Sequence, residues 1–213
     1  MDRTALLVFA KPPLPGVAKT RLIPALGAAG AARLAAALLE NTLNAAARAR
    51  LGPLFLHTTA RHPMLADMAR RCGARRRLQR GIDLGERMAQ ALQRACQDGS
   101  PALLLGADCP ALDAPRLLLA AHALHDVDVV FVPALDGGFV LVGCRAQAAP
   151  TMTRLFADQT WSVADVMQRM RLGMHGLGLR WAELPALPDI DTPDDLASLP
   201  AALRHAFPCN ACC

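Results

Sequence analysis

Apolar residues along this chain group in two ways. Short continuous runs fall at residues 4–10, 54–57, 102–106 and 129–132, with a further extended segment at 76–79, while stretches of helical periodicity lie near 28–49, 62–71, 83–97 and 113–124. Continuous runs with no polar alternation suit strands covered on both faces, so the alternation of strand and helix predicts a mostly parallel sheet between two helical layers. Asp136-Gly137-Gly138 joins the run at 129–132 to another at 139–142 with too few residues for a helical crossover, so an antiparallel element is expected there. Beyond it the pattern predicts a helix over 162–171 opened by Ser162-Val163-Ala164-Asp165, a strand at 177–183 and a short final helix reaching His205. No Gly/Ser-rich linker or internal repeat interrupts this order. The expected architecture is a single α/β domain over 1–205, a Rossmann-like three-layer sandwich with a mostly parallel mixed sheet, followed by a Cys-containing tail over 206–213.

Composition narrows the partners. At 213 residues the chain is long enough for one large domain. No run approaches the roughly 18 uninterrupted apolar residues of a membrane span. The first apolar run ends at Lys11 and is too short for a secretory leader, so a cytoplasmic location is expected. The net charge of +5 would ordinarily suggest a polyanionic partner. Aromatic residues make up only 4% with no Tyr, however, leaving few platforms for nucleic-acid stacking, and nucleic acid is not expected as a partner. Of the 23 basic residues only Lys11 and Lys19 are lysines, and both fall in one N-terminal segment. Seven cysteines without paired spacing argue for reduced thiols. Three of them crowd the end at Cys209, Cys212 and Cys213, close to His205, which lacks the second ligand pair of a structural zinc site.

Four segments sit where loops leave the C-terminal ends of the expected strands, the usual binding edge of an open parallel sheet. The first, from Lys11 to Leu22, sets Lys11, Lys19 and Arg21 around Gly16 ahead of a helix, which suits phosphate groups through charge, backbone N–H groups and helix dipole. It is no P-loop, because Pro13 and Ala18 stand where that motif needs glycines. In the second, Gly106-Ala107-Asp108-Cys109-Pro110, a strand delivers Asp108 as a candidate oxygen ligand for a hard divalent cation, or as a cap of its own turn. The third is Asp189-Ile190-Asp191-Thr192-Pro193-Asp194-Asp195. Thr192, Pro193 and the two following acids make a good helix start, whereas strand alternation sends Asp189 and Asp191 to one side, where either could join Asp108 around a cation. The fourth, the Asp136 turn, offers a substrate contact or general base. Gly81-Ile82-Asp83-Leu84-Gly85-Glu86-Arg87 opens a helix, so Asp83 and Arg87 either touch a ligand or serve the helix end.

Taken in order, Phe-Ala-Lys-Pro-Pro with Pro-Gly-x-x-Lys-Thr-Arg-Leu, Asp-Leu-Gly-Glu-Arg-Met, Gly-Ala-Asp-Cys-Pro, Asp-Gly-Gly-Phe-x-Leu-x-Gly, Trp-Ser and Asp-Ile-Asp-Thr-Pro-x-Asp-Leu run from Phe9 to Leu196. This set resembles a bacterial family of glycosyltransferase-A-like (GT-A) proteins, the arsenosugar-biosynthesis-type glycosyltransferases, related to the nucleotidyltransferases that make nucleotide sugars. The resemblance implies a nucleotide-diphospho-sugar transferase fold, a nucleotide or nucleotide-sugar substrate, a small acceptor and Mg²⁺ or Mn²⁺. It further implies that Lys11, Lys19 and Arg21 contact phosphates, that Asp108 holds the metal and that Asp191 is the second carboxylate. The family's common Asp-x-Asp is absent, since Gly106 stands two before Asp108.

The leading expectation is metal-dependent sugar transfer with Lys19 and Asp136 as catalytic groups. Nucleotidyl transfer to a phosphorylated acceptor is one alternative, and a non-enzymatic nucleotide- or soft-metal-binding protein is another. The chain is expected to act as a monomer or homodimer.

Overall fold

The central strands form because their residues are apolar on both faces and helices cover both faces. A computed structural model describes residues 3–161, 163–204 and 207. Its seven strands are β1 (Ala5–Ala10), β2 (Leu54–Thr58), β3 (Arg75–Leu78), β4 (Ala102–Gly106), β5 (Val129–Pro133), β6 (Phe139–Cys144) and β7 (Trp181–Glu183). They make one sheet in the order β3-β2-β1-β4-β6-β5-β7. β6 runs antiparallel to β4 and β5, and every other pairing is parallel, as the short Asp136 connection implied.

The helices are α1 (Ile23–Ala49), α2 (Pro63–Arg71), α3 (Leu84–Ala95), α4 (Ala114–Ala123), α5 (Met152–Phe156), α6 (Val166–Gly176) and α7 (Ala201–Arg204). Strand alternation divides the core. Leu6 and Val8 of β1 pack with Leu39 and Leu43 of α1, Leu65 and Met68 of α2 and Leu117 of α4. Leu7 and Phe9 face the other layer, with Met88 and Leu92 of α3, Met152 and Leu155 of α5 and Met170 of α6. A third cluster joins Leu22, Leu34 and Leu38 to Ile190, Leu196 and Leu199, so the C-terminal segment closes over α1.

Several expected boundaries shift. The helix anticipated near 28–49 begins at Ile23 behind a 3-10 turn at Thr20–Leu22, and Gly27, at φ 68°, kinks it where its regular part starts. The strand expected over 177–183 shrinks to Trp181–Glu183 because Leu177 ends α6 and Gly178 turns the chain at positive φ. The helix expected over 162–171 instead runs from Val166 to Gly176, and the closing helix splits into a 3-10 turn at Pro193–Ser198 and α7. The helical stretch Thr20–Ala49 is long and apolar enough to cross a membrane by length and composition. Its apolar count comes largely from alanine, and Leu34, Leu38, Leu39 and Leu43 are packed in the core. Ser162, His205, Cys209, Cys212 and Cys213 lie outside the described residues, and with them the expected thiol tail.

Candidate active site at the carboxyl edge of the sheet

Between β1 and α1 the chain folds into a tight loop. Pro12 and Pro13 are buried, Val17 and Ala18 donate backbone hydrogen bonds to the Leu14 carbonyl, and Gly16 sits at φ 74° with open space around it. Lys19 caps the 3-10 turn in the left-handed region, at φ 52°. That conformation costs a non-glycine residue about 1–3 kcal/mol, and here it turns the side chain inward. The Lys19 side chain is only 5% exposed, and its ammonium lies 3.0 Å from Asp108 Oδ1 and 3.6 Å from Asp191 Oδ1. Neither contact has hydrogen-bond geometry, so the ammonium is buried and held by charge alone. Arg21, largely exposed, donates from Nη1 to Asp191 Oδ2 at 2.6 Å.

The carboxylates are brought together by backbone. The Ile190 amide donates to the Asp108 carbonyl at 3.0 Å, and Ile190 is fully buried against α1. Burying Ile190 turns its neighbours Asp189 and Asp191 outward, as strand alternation requires. The Leu187 amide donates to the Pro133 carbonyl at 3.0 Å and the Leu135 amide to the Leu187 carbonyl at 3.1 Å, which sets the Asp136 turn beside Asp189. Thr192 and Asp195 form a reciprocal cap, with Asp195 Oδ2 accepting from the Asp191 and Thr192 amides, so Asp195 serves the helix start.

Asp189 is the perturbed member of this group. Burial, followed by the neighbouring Asp136 charge, pushes its carboxyl up from 3.8 to about 6; Lys19 opposes the shift and Asp108 adds to it. Sequence patterning sees Asp189 and Asp191 as equivalent, and the family resemblance favours Asp191. In the structure Asp191 is taken up by two cations, while Asp189 faces the two other carboxylates. The distinguishing signal, which of them Lys19 and Arg21 reach, depends on the fold of a loop 170 residues away.

Asp136 accepts from the Gly138 amide at 2.8 Å, and Gly137 at φ 92° packs so closely that an added Cβ would lie 1.8 Å from the Ala164 carbonyl oxygen. The turn is therefore pinned, and it holds Asp136 at the mouth of an apolar cavity of about 190 Å³. Phe9, Met88, Phe139 and Trp161 line that cavity, the last two in an edge-to-face contact with centroids 6.3 Å apart. Trp161 and Phe139 appeared in the sequence only as parts of motifs, and their aromatic pocket was not foreseen. Asp83 instead caps α3 by accepting from the Glu86 amide, and Arg87 donates to the Gly81 carbonyl at 3.0 Å. Both thus stabilise the turn into α3 in this structure. Lys11 is exposed on the same loop as Lys19. A larger cleft of about 1150 Å³, lined by Arg3, Arg50, His122 and Arg145 among others, lies at the amino ends of the strands. The loops carrying the acid and lysine cluster converge on the opposite edge, where ligands of open α/β sheets bind.

This frame is a GT-A-like α/β fold, and comparison with known proteins supports that class. The chain belongs to the bacterial family described as "Uncharacterized protein conserved in bacteria (DUF2064)", whose model matches residues 42–163, more than half of its length. No curated protein matches the sequence. Among solved structures it is similar to a Desulfovibrio desulfuricans G20 protein provisionally assigned as a nucleotide-diphospho-sugar transferase, with 30% identity, a TM-score of 0.84, and coverage of 96% of this chain and 91% of that one. Two more distant structures share the fold. A CMP:2-keto-3-deoxy-manno-octonic acid synthetase in complex with CTP is 12% identical with a TM-score of 0.60, covering 95% of this chain and 99% of that one. The 4-diphosphocytidyl-2C-methyl-D-erythritol synthase of Anaerococcus prevotii DSM 20548 is 11% identical with a TM-score of 0.64, again over 95% and 99%.

Among the described residues no three His, Cys, Asp or Glu side chains converge as a ready metal centre. The donors at hand are nonetheless carboxylate oxygens, which hard divalent cations prefer. Asp136 and, more weakly, Asp108 add to the effect of burial in disfavouring charge on Asp189, and a cation beside it would offset both.

Proposed function

We propose that this protein is a transferase that binds a nucleoside-diphosphate sugar at the carboxyl edge of its sheet and passes the sugar to a hydroxyl of a small acceptor. The observation that carries the reading is the buried Lys19 ammonium set between Asp108 and Asp191, beside the exposed cations Lys11 and Arg21. In free protein the acids neutralise Lys19; a bound diphosphate would compete for it and recruit Lys11 and Arg21. The chain's own similarity to the D. desulfuricans protein supports a nucleotide-sugar donor, as does the motif resemblance to arsenosugar-type glycosyltransferases.

In this mechanism the acceptor enters the apolar cavity between Phe139 and Trp161, which excludes water from its hydroxyl. Asp136 accepts the hydroxyl proton as the oxygen attacks the anomeric carbon. The carbon–oxygen bond to the diphosphate breaks, its electron pair leaves with the nucleoside diphosphate, and Lys19, Lys11 and Arg21 stabilise that charge. Asp108 and Asp189 would hold Mg²⁺ or Mn²⁺, which supplies further neutralisation of the diphosphate when bound.

A second reading, nucleotidyl transfer, is favoured by the dry, inward ammonium of Lys19, suited to the charge that builds on an α-phosphoryl group, and by the shared fold of the cytidylyl enzymes. It needs no hydroxyl base, because an acceptor phosphate is already anionic. Asp136→Ala separates the two, assayed by product release from a panel of nucleotide sugars and nucleoside triphosphates. Sugar transfer should fall at least about 100-fold, whereas nucleotidyl transfer should be largely spared. Unchanged sugar transfer in the variant would overturn the role given to Asp136.

A further inference from the structure

The exposed edge of the sheet carries a concentration of positive charge that the candidate active site does not use. β3 contributes Arg75, Arg76 and Arg77, Arg80 follows it, and Arg87 and Arg94 project from α3 across a groove of about 460 Å³. Among the described residues Arg77, Arg80 and Arg94 pair with no carboxylate. Arg77 lays its guanidinium 3.9 Å above the Phe55 ring, with Nη1 buried and without a hydrogen-bond partner. At the floor lies His57, 3% exposed, stacked on Phe9 at 5.3 Å, with Nε2 likewise buried and unpartnered. Buried polar atoms without partners are rare in folded chains, and two of them at one groove leave hydrogen-bonding capacity there that a ligand could satisfy. Burial, then the charges of Arg77 and Arg94, hold His57 down at about 4, so it is neutral at physiological pH.

We propose that this groove is a second anion site, binding a small polyanion with phosphate or diphosphate groups through Arg77, Arg80 and Arg94, with His57 completing its floor. The volume is that of a small-molecule site. Gln90, Gln93 and Gln97 line it too, adding hydrogen-bonding groups without adding charge. No Phe, Tyr or Trp side chain lines the groove as a platform for base stacking, which favours a small anion over a single-stranded nucleic acid. Lys11, Lys19, Arg21 and Asp108 are not part of it, so the proposal does not depend on the transferase reading.

The test titrates inorganic pyrophosphate into the full-length chain, labelled with ¹⁵N-histidine, at low salt with EDTA present. The His57 ring resonances should shift saturably, and its apparent pKa should rise, because a bound anion offsets Arg77 and Arg94. Arg80→Gln/Arg94→Gln should weaken this response at least tenfold, while Lys19→Gln should leave it intact. Without pyrophosphate the double variant should melt no lower than the parent, since it removes like-charge repulsion, yet it should lose the pyrophosphate-induced rise in Tm. A His57 signal indifferent to pyrophosphate, or a response that survives the double variant, would overturn the proposal. Binding of a single-stranded oligonucleotide alone would do so as well.

Discussion

Asp189→Asn removes a carboxylate that the fold holds against its own charge. Moving a carboxyl from 3.8 in the unfolded chain to about 6 in the folded one opposes ionisation by about 3 kcal/mol. Half of Asp189 remains solvated, so screening leaves about 1–2 kcal/mol. The sign follows from proton linkage. The folded state binds the Asp189 proton more tightly, so its contribution to stability is fully present below about pH 4 and is lost as pH rises through 6. The variant should therefore be more stable than the parent by about 1–2 kcal/mol at pH 7.5, an increase of a few degrees in Tm for a chain of this size, and equal to it near pH 4. Urea unfolding of both proteins in EDTA at several pH values measures the difference directly. An equal or less stable variant at pH 7.5, or a gap that does not close on acidification, would refute the burial of the Asp189 carboxyl beside Asp136 and Asp108. The same pair tests metal binding, since Mg²⁺ or Mn²⁺ should raise the Tm of the parent and not of the variant.

Other substitutions probe the frame around the site. Lys19→Gln removes an ion pair of about 5 kcal/mol gross Coulomb energy at 3.0 Å. Asp108 is half exposed and rehydrates, so stability should fall by only about 1–2 kcal/mol, while nucleotide affinity falls more than tenfold; unchanged affinity by calorimetry would contradict the phosphate role of Lys19. Gly137→Ala forces a Cβ into the Ala164 carbonyl at φ 92°, and should cost about 3 kcal/mol or more in urea unfolding; a loss under about 1 kcal/mol would show that the Asp136 turn is not pinned. Leu38→Ala, in the cluster that seats Ile190, should cost about 2–5 kcal/mol and weaken nucleotide binding by loosening Asp189 and Asp191; intact binding in the folded variant would separate that cluster from the site.

The layer order was readable because each central strand is a continuous apolar run and each covering helix keeps its period. The entry to α1 was less so: Thr20 to Leu26 helps build a kinked start whose break, Gly27, looks like any other glycine in an alanine-rich stretch. Leu177 and Gly178 resemble strand residues by composition, and only the end of α6 explains their turn. At the site, the lysines, Asp108, Asp136 and the Asp189–Asp191 pair were all visible as loop residues at strand ends. Their division of labour was not, because it depends on the distances between segments far apart in sequence. His57 is the clearest omission, a polar residue within an apolar strand whose meaning appears only when β3 and α3 bring arginines over it.

The central claim is that the carboxyl edge binds a nucleotide through Lys11, Lys19 and Arg21. Its most direct test is the melting temperature of the full chain with nucleoside diphosphates, triphosphates and nucleotide sugars, each with and without Mg²⁺ or Mn²⁺. At about 100 times its dissociation constant a true ligand stabilises the fold by about 2.7 kcal/mol, a shift of several degrees. The account predicts such a shift for at least one nucleotide, larger with the divalent ion and abolished by Lys19→Gln. No shift from any nucleotide in the presence of metal, or one that Lys19→Gln leaves unchanged, would contradict it.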